Sequence, residues 1–245
     1  MNPIEEFKEE VLRNIAGLAG DKDVQALSRI WIREIARHRY AYNFTWLGRP
    51  VIQFPQDMMA IQELIWSIKP DVVIETGVAH GGSILFSASM LELVGGEGYV
   101  IGIDIDIRKH NRTEIEAHPL SRRVRLIEGS SVDDAVVSQV REMVGEGKKV
   151  LVILDSNHTH EHVLRELELF SPFVREGSYL VVYDTLIEDM PVDLVGDRPW
   201  GPGNNPKTAV WEFLETNKRF KIDKDLEAKL SITVAPDGYL VCIAD

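Results

Sequence analysis

Apolar side chains recur along this chain in two patterns, and the change from one to the other divides it. Near the start, Ile4, Phe7, Val11, Leu12 and Ile15 mostly stand three or four positions apart. That is the repeat of a helix face, so the spacing predicts helix across most of residues 4–39. A glycine-bearing break at 17–23 separates a first helix from a second over 24–38. Between residues 40 and 55 no period holds, and Tyr40, Tyr42, Phe44, Trp46 and Phe54 crowd together. We read this stretch as a loop whose rings pack a helical cap onto the rest of the chain. A wall for a substrate or a second subunit is the alternative.

After residue 57 a helix over 58–68 leads into a series of short, unbroken apolar runs: 71–75, 99–104, 124–128, 150–155 and 179–184. Helix-length segments separate most of them. Strands buried on both faces lose the alternation of half-exposed ones, so such runs between helices predict a doubly wound, mostly parallel α/β sheet. Near the C-terminus, residues 221–222 and 230–234 are candidate strands. Residues 238–243 are a stronger one, placed after a turn at 236–238. A terminal hairpin strand, antiparallel to the others, fits there. The expected division is a helical cap with its aromatic loop at 1–55 and a ligand-binding domain at 56–245.

The formal net charge of −12 argues against a nucleic-acid partner, which needs a basic face. Cys242 is the single cysteine, so neither an intrachain disulfide nor a zinc site built on several thiolates can form. The acidic, amphipathic N-terminus lacks the apolar run of a secretory signal, and no stretch is apolar enough to span a membrane. The expectation is a cytoplasmic protein.

Candidate chemistry gathers where the runs end. Four close on an acid (Glu75, Asp104, Asp155 and Asp184), and a fifth leads into Gly129-Ser130-Ser131. Ligands of open α/β sheets bind outside these carboxyl ends, and carboxylates crowded at one rim repel unless a cation or donors use them. The first run enters Glu75-Thr-Gly-Val-Ala-His-Gly-Gly-Ser83, where Gly77, Gly81 and Gly82 permit sharp turns. This is not the dinucleotide fingerprint, because Ala79 stands where that motif needs its second glycine. Asp104 lies one strand–helix–strand unit further on, placed to accept hydrogen bonds from ribose hydroxyls. Asp106 shares its face and is the second choice.

Taken together, Glu75-x-Gly-x-x-x-Gly-x-Ser83, Gly-Ile-Asp104, Gly129-x-Ser-x-Asp133, Leu-Asp155 and Asp184 resemble the metal-dependent small-molecule O-methyltransferases of the catechol type. The chain is similar, more closely, to the cephalosporin hydroxylase/rhamnosyl O-methyltransferase family, in which the glycine-rich segment, Leu-Asp-Ser-Asn-His-Thr-His and a later Gly-Pro-Gly recur. The resemblance covers roughly residues 54–214. It implies a seven-stranded Rossmann-like methyltransferase sheet, S-adenosylmethionine as cofactor, magnesium, a small-molecule hydroxyl acceptor and a homo-oligomer. It places Gly77, Gly81 and Ser83 at the methionine part of the cofactor, Glu75 at the loop or the amino group, Asp104 at the ribose and Ser131 beside the adenine. Asp155 and Asp184 match two magnesium-binding positions, Asp155 also bordering the cofactor. His158 falls where the catechol-type enzymes place a catalytic lysine.

The chain departs from the pattern at Tyr183-Asp184-Thr185, where the close family has Glu-Asp and the catechol type Asp-Asn. A third metal ligand is then missing, unless the Thr185 hydroxyl serves. His158 is the expected general base, since imidazole ordinarily titrates near neutral pH. The run also holds His160 and His162, and His158 with His162 would have zinc-chelating spacing on a helix. His80 sits in the glycine loop, where packing the turn is at least as good a role as touching a ligand. Residues 188–206, rich in proline and glycine, suit a lid in which Trp200 and Asn204 meet the acceptor. The competing readings are a metal-dependent hydroxylase, using Asp155, His158 and His160, and a cofactor-binding assembly subunit without catalysis, suggested by Tyr183.

Overall fold

A computed structural model describes residues 2–245. Helix α1 (Pro3–Gly20) starts at Asn2, whose side chain accepts from the Ile4 N–H, with Pro3 in the first turn. Helix α2 (Lys22–Ala36) starts immediately afterwards. The expected break shrinks to Asp21, whose carboxylate caps α2 through the N–H groups of Asp23 and Val24, both at 3.0 Å. The aromatic stretch is less irregular than expected. Strands β1 (Phe44–Trp46) and β2 (Arg49–Val51) form an antiparallel hairpin after a short turn of helix. Leu47 and Gly48 join them with φ values of 46° and 89°, both in the left-handed region that tight two-residue hairpin turns require. Three residues per strand are too few for alternation to register in the sequence.

After α3 (Pro55–Ile68) the chain alternates through β3 (Val72–Thr76), α4 (Gly82–Val94), β4 (Tyr99–Asp104), α5 (Lys109–Ala117), β5 (Val124–Glu128), α6 (Asp134–Val144), β6 (Val150–Leu154), α7 (His160–Phe170) and β7 (Tyr179–Val182). It ends with α8 (Val192–Val195), α9 (Pro206–Thr216), β8 (Phe220–Ile222), α10 (Lys224–Leu230) and β9 (Tyr239–Cys242). The seven strands run in the order β5-β4-β3-β6-β7-β9-β8. Strands β3 to β7 are parallel, and β9 is antiparallel to both neighbours. This is the expected doubly wound sheet. Val73, Val100, Leu151 and Val181 join one apolar layer with α3 and α4. Val72, Ile74, Ile101 and Val152 join another with α6, α7 and α9.

The expected strand at 230–234 does not form. Helix α10 ends at Leu230, and the N–H of Val234 and the hydroxyl of Thr233 are donated to the buried carboxylate of Asp57 at the start of α3. The Tyr239 hydroxyl makes a third bond to Asp57 at 2.7 Å. Burial pushes the Asp57 carboxyl up to about 6. The chain order reverses between β3 and β6, so the crevice of this sheet opens where Thr76 and Leu154 lead into their loops.

Candidate active site

The glycine loop after β3 is fixed from three sides. Asp104, at the end of β4, accepts the N–H groups of Val78 at 2.8 Å and Ala79 at 3.1 Å. Arg49 of β2 donates to the His80 carbonyl at 3.0 and 2.8 Å and to Asn111 Oδ1 at 2.9 Å. Asn111 of α5 donates in turn to the Ala79 carbonyl at 2.8 Å. Ala79 is thereby held at φ 44°, a strained backbone region that persists only where surroundings over-determine it. The glycines serve close backbone approach within the protein. A Cβ on Gly77 would stand 2.0 Å from the Asp155 carbonyl oxygen, and one on Gly82 would stand 2.1 Å from that of Pro50. Gly81, at φ 82°, lies against the Ile115 side chain.

Beneath the loop, Glu75 is almost fully buried, and the Ser83 hydroxyl donates to its Oε1. Burial raises the Glu75 carboxyl to about 7, partly offset by Ser83. Across the crevice, Asp155 follows β6 and accepts from the Gln53 amide at 2.9 Å. Burial holds the Asp155 carboxyl well above the usual range, and the nearby charges of Asp184, Glu75 and Glu166 add to the effect. Asp184 follows β7 in a left-handed conformation at φ 56°. His158 Nε2 lies 3.2 Å from Asp184 Oδ2. One ligand atom each from Asp155, His158 and Asp184 lie within 4.8 Å of one another. The two repelling carboxylates make a hard-oxygen donor pair that a divalent cation such as magnesium satisfies, with the His158 imidazole beside it.

Several expected partners prove to be engaged elsewhere. Thr185 is fully buried and donates to the Pro236 carbonyl at 2.6 Å, so the third group at the cluster is His158 and not Thr185. Tyr183 is buried, and burial together with the carboxylates of Asp57, Glu75 and Asp155 pushes its hydroxyl well above the usual range, which leaves a protonated phenol and no metal ligand. The three histidines part company because α7 begins only at His160, which leaves His158 in the preceding loop and removes the shared helix face. His160 ties α7 to α9 through Thr208 at 2.8 Å and Glu212 at 3.1 Å. His162 meets Ser131 at 3.1 Å and Ser156 at 3.3 Å, and Ser156 donates to the buried Glu166 at 2.7 Å. A single imidazole at the cluster also removes the two-histidine site of an iron hydroxylase. Asn204 is held by the protein itself, donating to the Pro199 carbonyl of its own loop and accepting from the His160 N–H at the start of α7.

Gly77, Gly82, Ser83, Asp155, His158 and Asp184 line one cleft of about 720 Å³. Its other half is mostly apolar: Ile32 and Tyr40 from the N-terminal segment, Leu186, Met190, Leu194 and Trp200 from the segment after β7. Trp200 meets the His158 ring edge-on at 4.9 Å, and its indole N–H is buried without a partner. That segment is anchored at its base. Glu188 accepts from the Gly203 N–H and the Asn205 amide, and Lys207 pairs with Asp189 at 2.5 Å. Three residues that the sequence reading missed, Arg49, Gln53 and Asn111, are central here. None sits in a recognisable motif, and each acts across 31 to 102 positions of chain.

Comparison with known proteins points the same way. The family model described as Rhamnosyl O-methyltransferase/CmcI matches residues 38–243. A rhamnosyl O-methyltransferase of Mycobacterium bovis (strain BCG / Pasteur 1173P2) is 33% identical over 214 residues, covering 83% of this chain and 82% of its own. That of Mycobacterium leprae (strain TN) is 31% identical, covering 83% and 88%. Among solved structures, one described as CmcI with Mg and SAM aligns with a TM-score of 0.58 at 18% identity, covering 83% of this chain and 78% of that one. An O-methyltransferase from Bacillus cereus in complex with SAH gives 0.55 at 16% identity, covering 96% and 97%. The two structures share this fold.

Proposed function

The chain belongs to the Rhamnosyl O-methyltransferase/CmcI family, and on that premise we propose that its cleft transfers a methyl group from S-adenosylmethionine to a hydroxyl of a small molecule, assisted by magnesium. The observation that carries this reading is the meeting of Asp155, His158 and Asp184 in the same cleft as the braced glycine loop. When bound, the cofactor supplies an activated methyl group and the cation acidifies a hydroxyl held against it.

The protein's own groups align the acceptor and manage its proton. Asp155 and Asp184 would hold the cation. His158, set between Asp184 and Trp200, receives the hydroxyl proton at Nε2. Trp200 offers its free indole N–H to an acceptor oxygen, and the apolar half excludes water from the transfer. On the cofactor side the buried oxygens of Glu75 and Gln53 lack donors, which suits a ligand bearing an ammonium group. Asp104 keeps acceptor capacity for a ribose hydroxyl, since a carboxylate has about four lone-pair positions and three are used here. Gly77, Gly81 and Ser83 border the methionine part, and Ser131 the adenine.

Residues 1–55 act in this reading as a cap over the domain at 56–245, because Ile32, Tyr40 and Gln53 line the cleft. Ile4, Phe7, Leu12 and Leu27 are all more than 60% exposed on α1 and α2, which supports a homo-oligomer built on that face. No described helix is long and apolar enough to cross a membrane. A free, buried Cys242 suits the reducing cytoplasm.

Calorimetry with S-adenosylmethionine, S-adenosylhomocysteine and NAD, followed by transfer of labelled methyl to hydroxylated acceptors with and without magnesium, tests the reading. Binding of the first two but not NAD, with magnesium-dependent transfer, is expected. Preference for NAD overturns it.

A further inference from the structure

The amide of Gln53 has one end satisfied and one end bare. Its Nε2 donates to Asp155 Oδ2 at 2.9 Å, while its Oε1 is buried without a partner. Glu75 Oε2 is buried and unpartnered as well. Gln53 and Glu75 line the same small internal space behind the glycine loop, and Gln53 also lines the cleft. The neighbouring hydroxyls serve neither oxygen: Ser83 donates to Glu75 Oε1 instead, and Tyr183, which lines the same space, makes no hydrogen bond to Glu75 Oε2 or Gln53 Oε1. A buried acceptor left bare costs about 1–3 kcal/mol, so two sharing one space call for a donor from outside the chain.

We propose that Gln53 receives the α-ammonium group of the cofactor at Oε1, together with Glu75, while its Nε2 holds Asp155, so that cofactor and divalent cation bind cooperatively. This rests on the reading of the cleft as an S-adenosylmethionine site. The physical link is the planarity of the amide. An ammonium group fixes which end is oxygen, and the NH₂ end is then committed to the Asp155 carboxylate. With the ammonium absent, the amide is free to turn and set its oxygen against that carboxylate, where it repels. Gln53 is thus a positioning residue for the cation site and a binding residue for the cofactor. Coupling of this kind is reciprocal, so the cation must strengthen the cofactor by the same factor.

The test uses the full chain and calorimetry, with no turnover. S-adenosylhomocysteine carries the ammonium group, and methylthioadenosine has the same nucleoside thioether without the amino-acid part. Wild-type protein should bind S-adenosylhomocysteine about tenfold more tightly with saturating magnesium than without, an ordinary coupling between sites, and methylthioadenosine equally under both conditions. Gln53→Leu, with an unchanged thermal unfolding midpoint, should lose roughly tenfold in S-adenosylhomocysteine affinity and all of the magnesium effect, while keeping methylthioadenosine affinity. Gln53→Asn, too short to reach both partners, should behave likewise and replaces Gln53→Leu should that variant not fold. Magnesium independence in the wild type overturns the inference. So does unchanged S-adenosylhomocysteine binding in both variants, where a water molecule serves the two oxygens. Failure of the wild type to bind either nucleoside overturns the cofactor reading itself.

Discussion

The cofactor half of the cleft is held by charged and polar groups spent on the protein's own backbone and carboxylates, whereas the acceptor half is walled by aliphatic and aromatic side chains with few hydrogen bonds. Asp104, Arg49 and Asn111 fix the glycine loop, and Gln53 fixes Asp155. Across from them, Leu186, Met190 and Leu194 offer shape alone. Ligands with formal charge need dipoles already in place, because reorienting them during the reaction would cost what they stabilise. An acceptor chosen by an apolar wall is discriminated only by about 1–3 kcal/mol per methylene. One half is therefore built for a fixed ligand, and the other can be reshaped without disturbing it.

The contrast is sharpest at the boundary between the halves. His158→Ala should lower the rate of methyl transfer by about 10²–10⁴-fold, the usual worth of a positioned base, and leave S-adenosylhomocysteine affinity unchanged by calorimetry. Comparable rates in variant and wild type would remove its role as base. Arg49→Ala takes two charged hydrogen bonds from the His80 carbonyl and should weaken S-adenosylhomocysteine roughly ten- to a hundredfold, with acceptor KM unmoved. A rise in acceptor KM instead would show that the halves are not separate. Leu194→Ala should do the reverse, raising acceptor KM up to about tenfold with cofactor affinity intact.

A further effect is one of pH. Burial holds the Glu75 carboxyl near 7, and only its ionised form suits an ammonium group. Binding therefore favours the deprotonated state and weakens as pH falls through about 7, by up to about tenfold per unit below it. Glu75→Gln should bind more weakly at pH 8 and show a flat profile between pH 5 and 8. A sloping profile in that variant would assign the titration elsewhere.

Much of this was legible in the sequence, for definite reasons. Strands β3 to β7 are buried on both faces, so they stand out as unbroken apolar runs, and their acidic ends mark the rim. Helix α7 was the limit of that reading. Its start at His160, two residues into the histidine run, coincides with contacts to Thr208, Glu212 and Asn204 from a distant segment. Thr185 was expected to reach a metal, but a hydroxyl takes whichever partner the fold brings, here the Pro236 carbonyl, whereas Ser83 donates to Glu75 and still lines the cleft. Arg49 and Gln53 lie in and just after a hairpin whose six strand residues carry no visible period, and nothing local marks their reach into the crevice.

The carboxylate of Asp57 has a consequence for the order of events in synthesis. Its three donors come from Thr233, Val234 and Tyr239, and the last lies 182 positions downstream. Tyr239 opens β9, which sits inside the sheet between β7 and β8 although it follows every other strand of the sheet in the chain. A nascent chain can assemble the parallel strands as they emerge, but the slot beside β7 stays open and Asp57 stays unmatched until residues 233–242 have emerged as well. Arrival of β9 is thus the event that closes this sheet, and loss of β9 would leave an open strand edge in its middle.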